Sequence, residues 1–366
     1  MTQMAQTIAQ WTALPLLQKL RAEIKYGRVS LGAALRCDAA RDGLPREVTE
    51  SIASFCREVE MALFNARSRK IKADAGELVA AACERMKETL TKYILDNPGK
   101  GETVGAHVNR DAFPYLMMSA LFERSYTKPR GYAGDFETIE MIYKAEPSGA
   151  GPIGRMIDAW NLATATSEAV RSRRQRIVDD VKSLIAGHEA EPFKITSMAV
   201  GSGREVFDLF EAIPAARMQV TGIDLDAGAI AFCAEEARKR SLGEDKVKLH
   251  QANLVRLSFG RAHIPMPRQN FIYSMGLIDY FNDDLVIKLI DWAHDQLLPG
   301  GTLALGNFAT GNPERPYMDH VLDWKLVHRT PAELRRLFAQ SKFGSAEVRV
   351  DADASGIQLF AYCTKT

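Results

Sequence analysis

Lys194-Ile-Thr-Ser-Met-Ala-Val200, Gly201-Ser-Gly203 and Arg204-Glu-Val-Phe-Asp-Leu-Phe210 follow one another without a break. They read as a buried strand, a tight glycine turn and the first turns of a helix. About twenty residues on, a second apolar run, Met218-Gln-Val-Thr-Gly-Ile223, ends at Asp224. Two such strands side by side leave a crevice at their carboxyl ends. Gly201 and Gly203 lack a Cβ, so the backbone can turn sharply and approach a ligand. A carboxylate at the next strand end can accept both hydroxyls of a ribose. Glu205 occupies the place of the third glycine of the dinucleotide pattern. Its charge suits the helix dipole and would repel a pyrophosphate seeking the same site. The pocket therefore favours a nucleoside without phosphates, although an ordinary strand-to-helix turn can carry the same residues.

Downstream, strands and helices keep alternating. Ala227 to Ser241 reads as a helix, Lys246 to His250 as a short strand closing in Gln-Ala-Asn253, and Gln269 to Met275 as a fourth strand. A helix begins at Asp283, Leu298-Pro-Gly-Gly301 is a turn, and Thr302 to Asn307 is a fifth strand. Pro331 opens a helix, and Ala346–Val350 and Ile357–Cys363 pair as a closing hairpin. The pattern predicts an α/β fold, a mostly parallel sheet with one antiparallel strand.

Upstream, the chain reads as almost wholly helical to about residue 188. Val48, Ile52, Phe55, Val59 and Leu63 form a period-3.6 stripe after Pro45. Asp74 is the expected N-cap of a second helix carrying Leu78, Val79, Ala82 and Met86, ended by Asn97-Pro-Gly-Lys-Gly101. Asn109 or Asp111 is expected to start another, with Leu116, Met117, Ala120 and Leu121. Tyr126-Thr-Lys-Pro-Arg-Gly-Tyr-Ala-Gly-Asp135 is an unusual loop; it serves either as turns alone or as a lid presenting Arg130, Tyr132 and Asp135. A later helix, Ser167 to Ala186, carries Arg171, Arg173, Arg174 and Arg176: a solvated face, or a partner for a ligand carboxylate. The expected division is 1–188, a helical lid and substrate domain, and 189–366, the α/β domain.

The 366 residues carry a formal net charge of +1, which gives no pointer to nucleic acid or an anionic membrane. Cys37, Cys56, Cys83, Cys233 and Cys363 are scattered, as reduced thiols are, and suggest neither a disulfide frame nor a metal site. Met1 to Leu20 lacks a signal-peptide pattern, and no apolar run is long enough to span a bilayer. The expectation is a cytoplasmic protein acting on a small molecule, with an exposed helical domain able to pair two chains.

In order, Gly201-Ser-Gly203, Asp224, Asn253, Tyr273-Ser-Met-Gly-Leu-Ile-Asp-Tyr-Phe281 and Leu298-Pro-Gly-Gly-Thr-Leu-Ala-Leu-Gly306 resemble the class I S-adenosylmethionine (SAM)-dependent methyltransferases. The resemblance implies a seven-stranded, Rossmann-like sheet with SAM as cofactor. The glycine turn would hold the methionine part, Asp224 the ribose and Asn253 the adenine amino group, with Val200, Ser202, Leu225, Leu254, Ser274 and Met275 around them. Ala199 departs from the acid usual before the turn, so the helical domain is expected to help hold the amino-acid end. More narrowly, Pro129-Arg-Gly-Tyr-Ala-Gly-Asp135 and Met318-Asp-His-Val-Leu-Asp-Trp-Lys-Leu-Val-His-Arg-Thr330 resemble bacterial proteins of extracellular factor 3-hydroxypalmitic acid methyl ester biosynthesis. That likeness implies O-methylation of a carboxylic acid.

The acceptor would lie beyond the fourth and fifth strands. Tyr132, Tyr280 and His328 are the candidate catalytic residues; Arg130, Asp135, Asp279, Asn307, Tyr317 and Arg329 are the candidate substrate contacts. In a helical reading, Trp324 and His328 share a face with Val321 and Lys325, either as packing residues or lining the acceptor. Three other chemistries stay open. They are N-methylation with Asp135, Asp279 or His328 as base, cyclisation of SAM to azetidine-2-carboxylate, and non-catalytic SAM binding by an interaction protein.

Overall fold

A computed structural model describes residues 43–67, 75–186 and 191–366. The Met1–Leu20 stretch, Cys37 and the expected cap Asp74 lie outside these residues. The described chain packs into two compact units.

The α/β unit comprises Asp135–Tyr143, Ala165–Asn312 and Leu326–Thr366. Its strands are β1 (Phe193–Met198), β2 (Met218–Asp224), β3 (Val247–Gln251), β4 (Gln269–Ser274), β5 (Leu297–Phe308), β6 (Val348–Ala352) and β7 (Gln358–Thr364), in the order β3-β2-β1-β4-β5-β7-β6. β1 to β5 pair in parallel, for example Ile195 with Val220 and Phe271. β7 runs antiparallel to both β5 and β6. The mixed sheet with a single reversed strand is thus as expected. Chain order reverses between β1 and β4, the switch point beside which α/β sheets bind ligands.

Successive residues of the central strands face opposite layers, so these strands are buried on both faces. Ile272 and Leu303 pack with Leu289, Ile290 and Leu337 on one face; Ile195, Phe271 and Tyr273 pack with Ile177, Val181 and Phe207 on the other. The helices of this unit are α6 (Phe136–Lys144, whose last residue falls in the other unit), α8 (Ala165–Ile185), α9 (Arg204–Ala212), α10 (Ala227–Lys239), α11 (Leu254–Ser258), α12 (Asp283–Gln296) and α14 (Pro331–Ala339).

The helical unit comprises the described residues up to 134, Lys144–Thr164 and Pro313–Lys325. It holds α1 (Arg46–Arg67), α2 (Ala75–Asp96), α3 (Gly101–Asp111), α4 (Phe113–Leu116), α5 (Ala120–Thr127), α7 (Gly151–Leu162) and α13 (Arg315–His320). The expected stripe of α1 is buried at Val48, Ile52, Phe55 and Val59, with Ala62 rather than Leu63 completing it. Leu78 of α2 is exposed, while Val79, Ala82 and Met86 are buried. Asn109 and Asp111 end α3 instead of starting a helix. The start falls at Ser119, whose hydroxyl accepts the Phe122 N–H and donates to Asp158.

Two differences from the sequence reading share a cause. α2 ends at Asp96, before Asn97-Pro-Gly-Lys-Gly101 as expected, but Gly101 and Gly105 also form the contact face of α3, which the sequence reading did not anticipate. A Cβ at Gly105 would lie 2.1 Å from the His320 carbonyl oxygen, and one at Gly101 would strike the His320 ring. They let α13 dock, which places Pro313–Lys325 in the helical unit although β5 precedes it in sequence. Gly105→Ala should therefore destabilise this unit by about 1–3 kcal/mol, read as a lowered thermal midpoint; an unchanged midpoint would contradict the close approach. The units are also interleaved rather than divided near residue 188. α8 belongs with the sheet because Ile177, Val178 and Val181 join its core. Cys56, Cys83, Cys233 and Cys363 are free thiols.

Candidate functional site

The carboxyl ends of β1 and β2 are joined by a compact hydrogen-bonded turn. Ala199, Gly201 and Gly203 have φ of 59°, 54° and 64°. Left-handed backbone of this kind favours glycine, so Ala199 is the strained member. Gly203 has a second constraint, since a Cβ there would lie 2.8 Å from Cys233 Sγ and 3.2 Å from Phe207. A Cβ at Gly201 would meet only Phe136 Cβ, at 3.8 Å. The turn is thus closed below by Cys233 and Phe207, and room remains over Gly201 beside Phe136. Asp135, expected as a substrate contact, is fully buried and caps α6, its Oδ1 accepting the Glu137 and Thr138 N–H groups.

Asp224 is fixed from two sides. Its Oδ2 accepts the Gly201 N–H at 2.9 Å and its Oδ1 the Asp226 N–H at 2.9 Å. Burial pushes its carboxyl above the ordinary aspartate range, and the Asp226 and Gly201 N–H groups oppose that rise. The Leu225 N–H also bears on this carboxylate, and acceptor capacity remains for a further donor. Leu225 beside it is 63% exposed. Asn253 caps α11 through Oδ1, which accepts the Arg256 N–H at 3.1 Å; an adenine amino group would have to share that oxygen. Leu254 is buried in the core. Ser274 donates to the Met198 carbonyl and pins β4 to β1. Met275 packs at the close approach to Gly306, while Ser202 Oγ is buried with no hydrogen-bond partner among the described residues.

Glu205 does not line the turn. It is buried, and its Oε1 accepts the Tyr143 hydroxyl at 2.5 Å. Burial raises its carboxyl, against that hydroxyl bond. Repulsion of a pyrophosphate by an exposed charge at this position is therefore not available. Arg204, the first residue of α9, pairs with Glu140 of α6.

At the carboxyl ends of β4 and β5 the chain gathers Asp279, Asn307, His328 and Arg329. Two are spent on architecture. Arg329, 2% exposed, donates to Asp283, the Asn307 side chain and the Ile278 and Phe281 carbonyls. The Asn307 amide nitrogen donates to the Phe308 and Val327 carbonyls. Arg329 has no N–H left for a substrate, which corrects the sequence reading, and Asn307 keeps only the second lone pair of its Oδ1. Asp279 differs: Oδ1 accepts the Phe308 N–H at 2.7 Å, but Oδ2 is buried without a hydrogen-bond partner. Burial raises its carboxyl, against the nearby Arg173 guanidinium. His328 stacks on Phe308 at 5.9 Å, with Nδ1 3.2 Å from the Leu326 carbonyl oxygen. Tyr280 is half-buried on the short turn after β4.

The remaining candidates belong to the helical unit. Arg130 and Tyr132 sit on the exposed loop after α5. Tyr317 is buried against Trp160 at 6.0 Å, and Trp324 is also buried. The stretch linking Trp324 to His328 is not helical, so no shared helix face exists.

Of the four arginines on α8, the sequence did not single out Arg173. It is 5% exposed and stacked over Phe308 at 5.1 Å, and its Nε donates to Gln358. The solvated-face reading fails for this residue. Arg171, Arg174 and Arg176 form ion pairs with Glu168, Asp208, and Asp180 with Asp351. Among the described residues there is no cluster of metal-ligating side chains and no helix long and apolar enough to cross a membrane.

The strand order, the glycine turn and the acid held beside it define an α/β protein of the methyltransferase architecture. The chain belongs to the family described as "Putative methyltransferase", which matches residues 130–358. Among solved structures, a protein of Bordetella parapertussis described as a possible exported protein is similar at 18% identity, over 78% of this chain and 96% of that one, with a TM-score of 0.56. That likeness is one of fold. Magnesium protoporphyrin IX methyltransferase from Synechocystis PCC 6803, solved with bound S-adenosylhomocysteine (SAH), aligns at 10% identity over 67% and 98% of the two chains, TM-score 0.46. The N-methyltransferase NodS from Bradyrhizobium japonicum WM9, also in complex with SAH, aligns at 14% over 63% and 97%, TM-score 0.40. No curated protein matches.

Proposed function

We propose that the protein is a SAM-dependent methyltransferase whose acceptor is a small or acyl carboxylic acid. The observation that carries the cofactor is Asp224. Its carboxylate is preset by the Gly201 and Asp226 N–H groups and keeps acceptor capacity, next to a turn with room over Gly201. That donor and acceptor set fits a ribose diol, and nothing in it demands a phosphate. Val200, Ser202, Gly203, Leu225, Asn253, Leu254, Ser274 and Met275 would surround the nucleoside.

SAM supplies an electrophilic methyl group on a sulfonium. A carboxylate oxygen would form the new bond to carbon as the carbon–sulfur bond breaks, its electron pair going to sulfur to leave SAH. No proton moves, so a carboxylic acid acceptor needs no base, only alignment and exclusion of water. Tyr280 and His328 would line its approach. The family membership supports methyl transfer; the acceptor class is supported by the sequence likeness to extracellular-factor ester biosynthesis proteins alone. A second reading, N-methylation, is favoured by the unpartnered Oδ2 of Asp279, which could take a proton from an amine.

Calorimetry should show SAH binding to the purified protein, and mass spectrometry should show SAH and a methyl ester formed from SAM and carboxylic acids. Absence of SAH binding would reject every SAM reading. Methylthioadenosine from SAM alone would indicate cyclisation, and binding without turnover an interaction protein.

A further inference from the structure

Arg173 carries a feature that its neighbours on α8 lack. Its Nε is held by Gln358 at 2.8 Å, and Gln358, itself fully buried, is oriented by donating to the Leu359 carbonyl. One face of the guanidinium is occupied by Phe308. Nη1 lies beside Gly276, where an added Cβ would come within 2.8 Å of it. Gly276 is exposed, two residues past the carboxyl end of β4, next to the switch point of the sheet. Held at Nε and stacked on one face, the group keeps its outer N–H edge without a hydrogen-bond partner among the described residues. Its nearest acids do not neutralise it by direct pairing: Glu205 is bonded by Tyr143, and Oδ2 of Asp279 has no hydrogen-bond partner. A buried guanidinium is costly without a paired anion, and its planar fork matches a carboxylate.

We propose that Arg173 anchors a carboxylate-binding subsite at the carboxyl end of β4, fixed in aim by Gln358, Phe308 and the absence of a side chain at Gly276. The carboxylate is that of the acceptor or that of the cofactor's amino-acid end. Asp279 beside it would receive an ammonium group, or a proton-bearing oxygen, of the same ligand. This assignment rests on the SAM reading and deepens it.

The test uses the full chain, with Arg173→Gln and Arg173→Lys. Three probes serve: SAH, its decarboxylated analogue, and butanoate and decanoate added to the SAH-loaded protein. If the anchor serves the cofactor, Arg173→Gln weakens SAH by about 10- to 100-fold and leaves the decarboxylated analogue within about threefold of its wild-type affinity. If it serves the acceptor, SAH binding is kept while alkanoate binding falls by about the same factor. In either case Arg173→Lys recovers part of the loss as a point charge. Gly276→Val displaces Nη1 without deleting the charge and should repeat the pattern should Arg173→Gln not fold. Equal losses for SAH and its decarboxylated analogue, or wild-type binding of every probe by both variants, overturn the proposal. Failure of the underlying reading is a separate result, the unaltered protein not binding SAH, and the alkanoates without cofactor then decide the anchor.

Discussion

Asp224→Ala is expected to weaken SAH binding by about 10²- to 10⁴-fold. Two hydroxyl hydrogen bonds to a charged group, at about 1.5–3 kcal/mol each, set that range. The substitution also strands the Gly201 and Asp226 N–H groups that the carboxylate now satisfies. Part of the loss will therefore appear as a looser turn, and the apoprotein should melt lower. Asp224→Asn separates the two effects. Its single carbonyl oxygen can satisfy one N–H, and its amide nitrogen meets the other donor, so affinity should fall with an intermediate loss of stability. There is a dependence on acidity as well. Burial holds the Asp224 carboxyl above its ordinary range. A carboxylate is needed to accept both hydroxyls, so affinity should decline as the pH drops through that raised value. Calorimetry across a pH series checks the direction; affinity that is indifferent to Asp224 would mean the nucleoside lies elsewhere.

Arg329→Met is expected to destabilise the α/β unit by about 3–5 kcal/mol, the scale for breaking a buried, hydrogen-bonded charge. Arg329 ties the turn after β4, the end of β5 and the start of α12 through its contacts with Ile278, Phe281, Asn307 and Asp283. Removing it leaves the Asn307 oxygen and the Phe281 carbonyl without a donor, and the Ile278 carbonyl with the Phe281 N–H alone. For a unit of this size the thermal midpoint should fall by roughly 10 °C. A variant with wild-type stability but no turnover would instead restore Arg329 to the substrate, where its place in the sequence first suggested it.

These two residues mark where the sequence was informative and where it was not. Gly201, Gly203 and Asp224 are legible because strand, turn and acid constrain one another over a short span, and the required backbone geometry is written in residue type. The alternation of strands and helices from Phe193 to Cys363 is legible for a similar reason, since periodicity survives without tertiary information. Arg329 and Asn307 show the limit: a polar residue at a strand end announces a need for partners, not who they are. Asp135 and Asn253 were read as ligand contacts, yet both cap helices, a task for which Asp and Asn are equally suited. α3 was missed because glycine lowers helix propensity, and only the docking of α13 explains Gly101 and Gly105. Arg173 was hidden among three neighbours of the same type, and Gln358 gave no signal at all.

The interleaving of the two units has a consequence for synthesis. The chain passes between them at residues 134/135, 143/144, 164/165, 312/313 and 325/326. As a ribosome delivers it from the N-terminus, the helical unit lacks α13 until most of the sheet has emerged, and Gly105 and the buried Lys87 have no His320 or Glu314 to meet. Amputating the protein anywhere before Lys325 would leave both halves incomplete, so neither is expected to mature as an independent module.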